Sequence, residues 1–249
     1  MTTNIVIPLA GEGSRFRDVG YTTPKPLIEV DGKTLIEHSI STLKIGKDTR
    51  YIYIVKEYEN DEYNKRLDKI FEELTPGYVK IVANGKQHGA AYSALLAKDY
   101  INNDDPLIIT NCDQRMVWDD GIVSRINDLL YRSLYDGFIS VTGSDSPKNS
   151  YAIIEHDVVT KLAEKEVISQ DALTGIHFWK RGSDFVWSAE ELIDDLSGTN
   201  KEAYVSLTYN KLIDAGKKIS AFQVSRGQFW PLGTPEDIKE YLEYWKIEE

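Results

Sequence analysis

The sequence is poor in the residues that staple, coordinate or anchor a chain. Cys112 is the only cysteine among 249 residues, which excludes an intramolecular disulfide and a cysteine-rich zinc site. The four histidines, His38, His88, His156 and His177, stand at no metal-ligand spacing. Basic residues are the minority: 29 Lys and Arg against 40 Asp and Glu leave a net charge of −11. A protein that holds nucleic acid by neutralising its phosphates needs the opposite balance, and an anionic membrane surface repels this one. No apolar run approaches the ~20 residues of a membrane helix. Met1-Thr2-Thr3-Asn4 lacks the basic segment and apolar stretch of a signal peptide, so the expected compartment is the cytoplasm. Proline-rich and serine-rich linkers, repeats and low-complexity tracts are also missing. A single domain over residues 1–249 is therefore expected.

What is present is the material of a folded core, with 41% hydrophobic and 11% aromatic residues. Strand and helix patterns alternate through the first half. Residues 4–9, 50–55, 78–82, 106–111 and 137–141 read as short strands. Residues 35–43, 61–74, 89–100 and 121–135 read as helices. This rhythm predicts an α/β fold whose mostly parallel sheet has helices on both faces. The second half is less regular. It offers a hairpin of residues 151–155 and 158–163 turning at His156-Asp157, strands at 174–179 and 220–224, and helices at 184–196, 204–215 and 235–245.

The most informative segment is Leu9-Ala10-Gly11-Glu12-Gly13-Ser14-Arg15, followed by Pro24-Lys25-Pro26-Leu27. A glycine-rich turn leaving a strand lets backbone N–H groups approach a phosphate closely. Arg15 adds a permanently charged fork that suits phosphate oxygens. No Gly-Lys-Ser/Thr follows at Walker spacing, and the third glycine of a dinucleotide fingerprint is missing. Gly-x-Gly alone reads as an ordinary tight turn; Arg15 and the Pro-Lys-Pro element change that reading.

The whole stretch resembles the signature of the nucleotidyltransferases that make nucleotide-sugars, the sugar-1-phosphate nucleotidyltransferases or NDP-sugar pyrophosphorylases. Further landmarks follow in that family's order: Gly89-Ala90-Ala91, Asn111-Cys112-Asp113, Glu164-Lys165, Thr174-Gly175-Ile176-His177-Phe178 (Tyr in the family where this chain has His177) and Gly233-Thr234-Pro235-Glu236-Asp237. The resemblance implies a Rossmann-like three-layer α/β/α fold with a mixed central sheet. Residues 1–145 would form its nucleotide-binding portion and residues 146–249 its acceptor-binding portion. It implies transfer of a nucleotidyl group from an NTP to a sugar 1-phosphate with release of pyrophosphate, and a place in surface polysaccharide synthesis.

Site roles are carried over by the same resemblance. Leu9, Ala10, Gly11, Gly13, Ser14 and Arg15 would bind the nucleotide, with the turn amides and Arg15 on the β- and γ-phosphates. Lys25 would lie against the α-phosphate and, with Arg15, act in catalysis. Asp113 would bind the nucleotide's Mg²⁺, a hard cation that prefers carboxylate, water and phosphate oxygens. Lys165, with Gly175, would contact the acceptor. Asn84 and Gly89 would flank the base, with a pyrimidine favoured. Cys112 reads as a small buried residue rather than a nucleophile. Tyr151, Trp179, Tyr204 and Tyr209 are either an aromatic wall for the acceptor or core, with core favoured for each. A homo-oligomer stays open.

One departure stands out. Many family members carry a second metal-binding aspartate where this chain has Pro231, in Phe229-Trp230-Pro231-Leu232-Gly233-Thr234. Mg²⁺ commonly keeps several waters and uses few protein ligands, so one carboxylate is the expected solution; another acid in its place and an impaired site are the alternatives. Two further readings remain: a cytidylyltransferase acting on a small non-sugar phosphate, and a non-catalytic nucleotide-sugar-binding homologue. A glycosyltransferase would use an Asp-x-Asp metal motif, and Asn111-Cys112-Asp113 offers one carboxylate.

Overall fold

The structure is a computed structural model and describes residues 1–43, 45, 48–85 and 88–245. In chain order its elements are β1 (Thr3–Pro8), α1 (Ser14–Arg17), β2 (Glu29–Val30), β3 (Lys33–Thr34), α2 (Leu35–Thr42), β4 (Thr49–Val55), α3 (Asp61–Leu74), β5 (Val79–Val82), α4 (Ala90–Leu95), α5 (Lys98–Ile101) and β6 (Leu107–Thr110). Then follow β7 (Gln114–Met116), α6 (Asp120–Tyr131), β8 (Gly137–Gly143), β9 (Ser150–Glu155), β10 (Val158–Glu164), β11 (Asp171–Trp179), α7 (Gly182–Leu196), α8 (Val205–Asp214), β12 (Ile219–Gln223), β13 (Phe229–Pro231) and α9 (Pro235–Trp245).

A nine-stranded sheet in the order β5-β4-β1-β6-β11-β8-β12-β10-β9 forms the middle layer. β4, β1 and β6 are parallel neighbours, and β12 is parallel to β8. β11 and β10 run against their neighbours, so the sheet is mixed. Alternate residues of each strand face opposite sides, as a pleat requires. In β6, Leu107 and Ile109 enter the core beneath α4, α7 and α8. Ile108 between them enters the core shared with α2, α3 and α6. The three layers expected from the sequence are thereby formed. A smaller cluster, including Phe16, Leu35, Trp230 and Tyr241, packs α9 over the loops that leave β1 and β2.

Several local expectations shift. The helix expected at 89–100 is split, because the N–H groups of Leu96 and Ala97 reach back three residues, to Ser93 and Ala94, instead of four. The helix expected at 121–135 stops at Tyr131, where the Ser133 hydroxyl donates to the Leu129 carbonyl. β11 starts at Asp171, earlier than residue 174, because a bulge breaks its alternation. The hairpin turn at His156 and Asp157 is as expected; both take positive φ, 51° and 65°, as a two-residue turn of this hand demands.

The topology places the site. β4 lies on one side of β1 and β6 on the other, so the connections leaving β1 and β6 diverge. A crevice opens at the C-terminal ends of those two strands, where open α/β sheets bind ligands. Among the described residues, no helix is long and apolar enough to cross a membrane.

Candidate active site

The turn after β1 is held from below. Leu9 is buried, and its N–H donates to Ile54 O at 2.7 Å. Its side chain is core, which leaves its backbone as its contribution to the loop. Gly13 has φ 62° and caps α1. A Cβ there would lie 3.0 Å from the Cβ of Lys25, so glycine serves both the left-handed backbone and the close approach. Arg15, on α1, is exposed, and no hydrogen bond or ion pair engages its guanidinium among the described residues.

Lys25 opens a short 3₁₀ turn, Lys25–Leu27, whose Pro26 and Leu27 are buried. With the prolines restricting the backbone, the lysine stem crosses the crevice to the loop after β6. There Lys25 Nζ meets Asp113 Oδ2 at 2.6 Å, and the two side chains are only 24% and 17% exposed. Burial disfavours the ammonium, but the Asp113 carboxylate outweighs it and holds Lys25 above its ordinary pKa. Cys112 beside them is buried, and burial pushes its thiol up to about 12, the opposite of an activated nucleophile.

Asp113 is also fixed through its backbone, since its carbonyl accepts from Leu232 N–H at 2.8 Å. That bond brings the late Gly-Thr-Pro-Glu-Asp turn over the crevice. A Cβ on Gly233 would stand 2.7 Å from Asp113 Oδ2 and 3.7 Å from Asp237 Oδ2. Gly233 thus leaves a gap flanked by two carboxylates. Pro231 is exposed and pairs with Gln114 between β13 and β7. Asp237 closes the Gly-Thr-Pro-Glu-Asp motif, and only the turn's docking on Asp113 shows it as a neighbour. Among the described residues, no group of three or more His, Cys, Asp or Glu side chains is placed to hold a metal by itself.

Across the crevice, β11 bulges between Leu173 and His177. Gly175 sits in the bulge with φ 82°, and a Cβ there would strike Asn111 Nδ2 and Gln114 Oε1 at 2.4 and 2.8 Å. Glu164 ends β10, and its carboxylate accepts from the hydroxyls of Ser150 and Ser206. Lys165 follows with φ 56°, and its Nζ donates to Tyr204 OH at 2.7 Å, lying 4.9 Å above that ring. That bond keeps its pKa above the ordinary range.

One cleft of about 1010 Å³ joins these parts. Arg15, Asp113, Gly175, Glu164, Tyr204 and Asp237 are in its wall, with Asn111 and His177. Lys25 reaches it through Asp113. Lys165 is exposed beside it. Asn84 is exposed beyond β5 and stands outside the cleft wall. Gly89 has a structural reason for being glycine: φ is 113°, and a Cβ would lie 2.4 Å from Ala203 O. Its neighbour Ala90 lines the cleft. Of the four aromatic candidates, Tyr151, Trp179 and Tyr209 are core and Tyr204 faces the cleft.

The family model for nucleotidyl transferases matches residues 5–244. The chain belongs to the nucleotidyl transferase family. Among curated nucleotidyl transferase relatives, the bifunctional protein GlmU of Methanococcus maripaludis is 24% identical over 246 residues, which cover 94% of this chain and 52% of that protein. The chain therefore spans about half the length of the curated relatives it matches first. Choline-phosphate cytidylyltransferase of Haemophilus influenzae is 26% identical over 179 residues, 71% of this chain and 68% of that one. Among solved structures, a nucleoside-diphosphate-sugar pyrophosphorylase from Vibrio cholerae superposes with a TM-score of 0.78 at 26% identity, covering 96% of this chain and 99% of that one. An inositol-1-phosphate CTP transferase from T. maritima shares the fold, with a TM-score of 0.74 at 20% identity over 99% and 96% of the two chains.

Proposed function

We propose that this nucleotidyl transferase moves a nucleotidyl group from an NTP, a pyrimidine one by preference, to a sugar 1-phosphate, releasing pyrophosphate. The observation that carries the reading is the Lys25–Asp113 pair at the β1/β6 crevice, with Arg15 in the same cleft wall. An acceptor phosphate oxygen attacks the α-phosphorus; the new P–O bond forms as the bond to the β-phosphate oxygen breaks. Such a displacement needs positioning and charge neutralisation more than covalent help. The amides of residues 11–14 and Arg15 hold the β- and γ-phosphates. Lys25 neutralises charge on the α-phosphate. Lys165 holds the acceptor phosphate against Tyr204, and Glu164 borders the acceptor's place. The acceptor is then delivered from the half of the cleft built by β8 to β11 and α8.

The residues fit Mg²⁺ in one respect: hard oxygens of Asp113 and Asp237 both border the gap at Gly233, beside the position expected for the phosphates. We assign both as its protein ligands. When bound, Mg²⁺ supplies charge neutralisation on the triphosphate. Asp237 thereby takes up the role for which the Pro231 side chain has no ligand atom.

A second reading keeps the transfer and changes the acceptor to a small non-sugar phosphate with CTP. The likeness to the H. influenzae choline-phosphate cytidylyltransferase favours it. A pyrophosphate-release screen separates the two. It crosses ATP, CTP, GTP, UTP and dTTP with sugar 1-phosphates and phosphocholine, with Mg²⁺ and with EDTA. Release above the no-acceptor control, abolished by EDTA, is expected. Silence with every pair would overturn nucleotidyl transfer to these acceptors.

A further inference from the structure

The face of β11 that looks toward α4, α7 and α8 belongs to an apolar core. Leu173 and Trp179 lie on it, and the residues paired with His177 on the neighbouring strands are Ile109 and Ile139. His177 is 7% exposed, with the rings of Trp179 and Tyr209 at 6.1 and 5.9 Å. Its Nδ1 is buried and has no hydrogen-bond partner. A polar atom left so in a core costs stability, and such atoms are usually satisfied. Yet His177 is also part of the cleft wall, together with Leu173, Ala90, Val205 and Ser206. The same wall holds Glu164, whose carboxylate is pinned by two serine hydroxyls.

The cleft wall thus combines apolar side chains, a fixed carboxylate and an imidazole whose Nδ1 has no partner. Burial keeps that imidazole neutral by pushing its pKa down to about 3. A neutral imidazole offers one donor and one acceptor. A hydroxyl offers the same pair, and a polyhydroxylated ring adds apolar C–H surface for Leu173 and Val205. A trimethylammonium group offers neither donor nor acceptor.

We propose that His177 is a specificity-determining residue that exchanges a hydrogen bond with a hydroxyl group of the acceptor. The inference rests on the nucleotidyl-transfer reading and selects, within it, a hydroxylated acceptor over a quaternary ammonium one. A site built to bond a hydroxyl discriminates strongly against an analogue lacking it, because its own polar atom is then left unpaired.

The test compares wild type, His177→Phe and His177→Gln, each checked for folding by circular dichroism and Tm. For the sugar 1-phosphate that wild type uses best, His177→Phe is expected to raise acceptor KM at least tenfold, with NTP KM changed less than twofold. His177→Gln, which keeps a donor and an acceptor, recovers part of that loss. An acceptor KM within twofold of wild type in folded His177→Phe overturns the proposal, as does a wild type that prefers phosphocholine. A second readout does not need turnover. In ¹⁵N-histidine-labelled protein, the His177 signal, assigned by its loss in His177→Phe, is expected to shift on adding α-D-glucose 1-phosphate or another sugar 1-phosphate of the panel, and not on adding phosphocholine. If wild type turns over nothing but this signal shifts, the functional reading fails and the assignment stands. If turnover occurs and the signal is still, the assignment fails; if both are silent, both fail.

Discussion

Lys25 Nζ rests 2.6 Å from Asp113 Oδ2, closing the crevice between β1 and β6 with an ion pair. The pair joins two segments that are far apart in sequence and that the fold brings together through parallel strand pairing. In the proposed reaction each member has a use elsewhere: the ammonium toward a phosphate, the carboxylate toward a cation. On that reading, binding of a metal nucleotide exchanges this contact for two others.

The exchange has a measurable consequence. Lys25→Met removes the competitor from Asp113 while keeping the length of the stem. Mn²⁺ binding to the nucleotide-free protein, followed by electron paramagnetic resonance, is expected to tighten in Lys25→Met relative to wild type. Unchanged or weaker binding would show that the lysine does not compete with the metal. In turnover, Lys25→Ala is expected to lower kcat by ~100-fold or more, as loss of a preorganised charge at a reacting centre does. NTP affinity falls less, since Arg15 and the turn amides remain.

The two carboxylates beside Gly233 make a second prediction. Asp113→Ala abolishes Mg²⁺-dependent turnover. Asp237→Asn keeps the side-chain volume, and is expected to raise the Mg²⁺ concentration at half-maximal rate by roughly tenfold or more while leaving Tm near that of wild type. An Mg²⁺ titration curve superposable on wild type would remove Asp237 from the metal site and leave Asp113 alone there.

Gly13 is under two constraints, its φ of 62° and the Lys25 Cβ placed 3.0 Å from where its own would be. Gly13→Ala is expected to cost about 1–2 kcal/mol from the left-handed backbone alone. For a chain of this size that lowers Tm by roughly 2–8 °C. Because the relief movement displaces Lys25, kcat falls as well; a variant with wild-type Tm and kcat would show that the turn has room to spare.

His177 links the pocket to acid stability. An unfolded histidine has a pKa near 6.5, whereas burial holds His177 at about 3. Above pH ~6.5 both states are neutral there and His177 contributes no pH dependence. Between that value and about 3 the unfolded chain binds a proton that the folded one refuses, so stability falls as pH falls. The slope from this group reaches at most about 1.4 kcal/mol per pH unit. Denaturant unfolding of wild type and His177→Phe at pH 7, 6, 5 and 4 is expected to show the wild-type curve declining more steeply. Parallel curves would mean that the imidazole charges in the folded state.

Much of this was legible in the chain. β1, β4 and β6 announce themselves as short apolar runs, since strands buried on both faces leave little room for polar residues. Gly13, Arg15, Pro24 and Lys25 sit within one continuous stretch, and that stretch carries the family resemblance. Asp113 was readable at the end of a strand. Harder to read were elements stabilised by distant partners: β7 and β13 are three residues each and exist because they pair with one another. The start of α4 and the bulge in β11 bring glycines against residues far along the chain, Gly89 against Ala203 and Gly175 against Asn111.

The sequence by itself determined the layered α/β plan through its periodicity, and the glycine-rich turn with the lysine and aspartate of the crevice through motifs whose residues are grouped within a few positions. Only the tertiary structure decided that Asp237 stands beside Asp113 across a glycine, that Leu9, Tyr151, Trp179 and Tyr209 are core, and that His177 is a buried imidazole without a partner in the cleft wall. Those are relations of distance and burial between residues remote in sequence, and local pattern carries no measure of either.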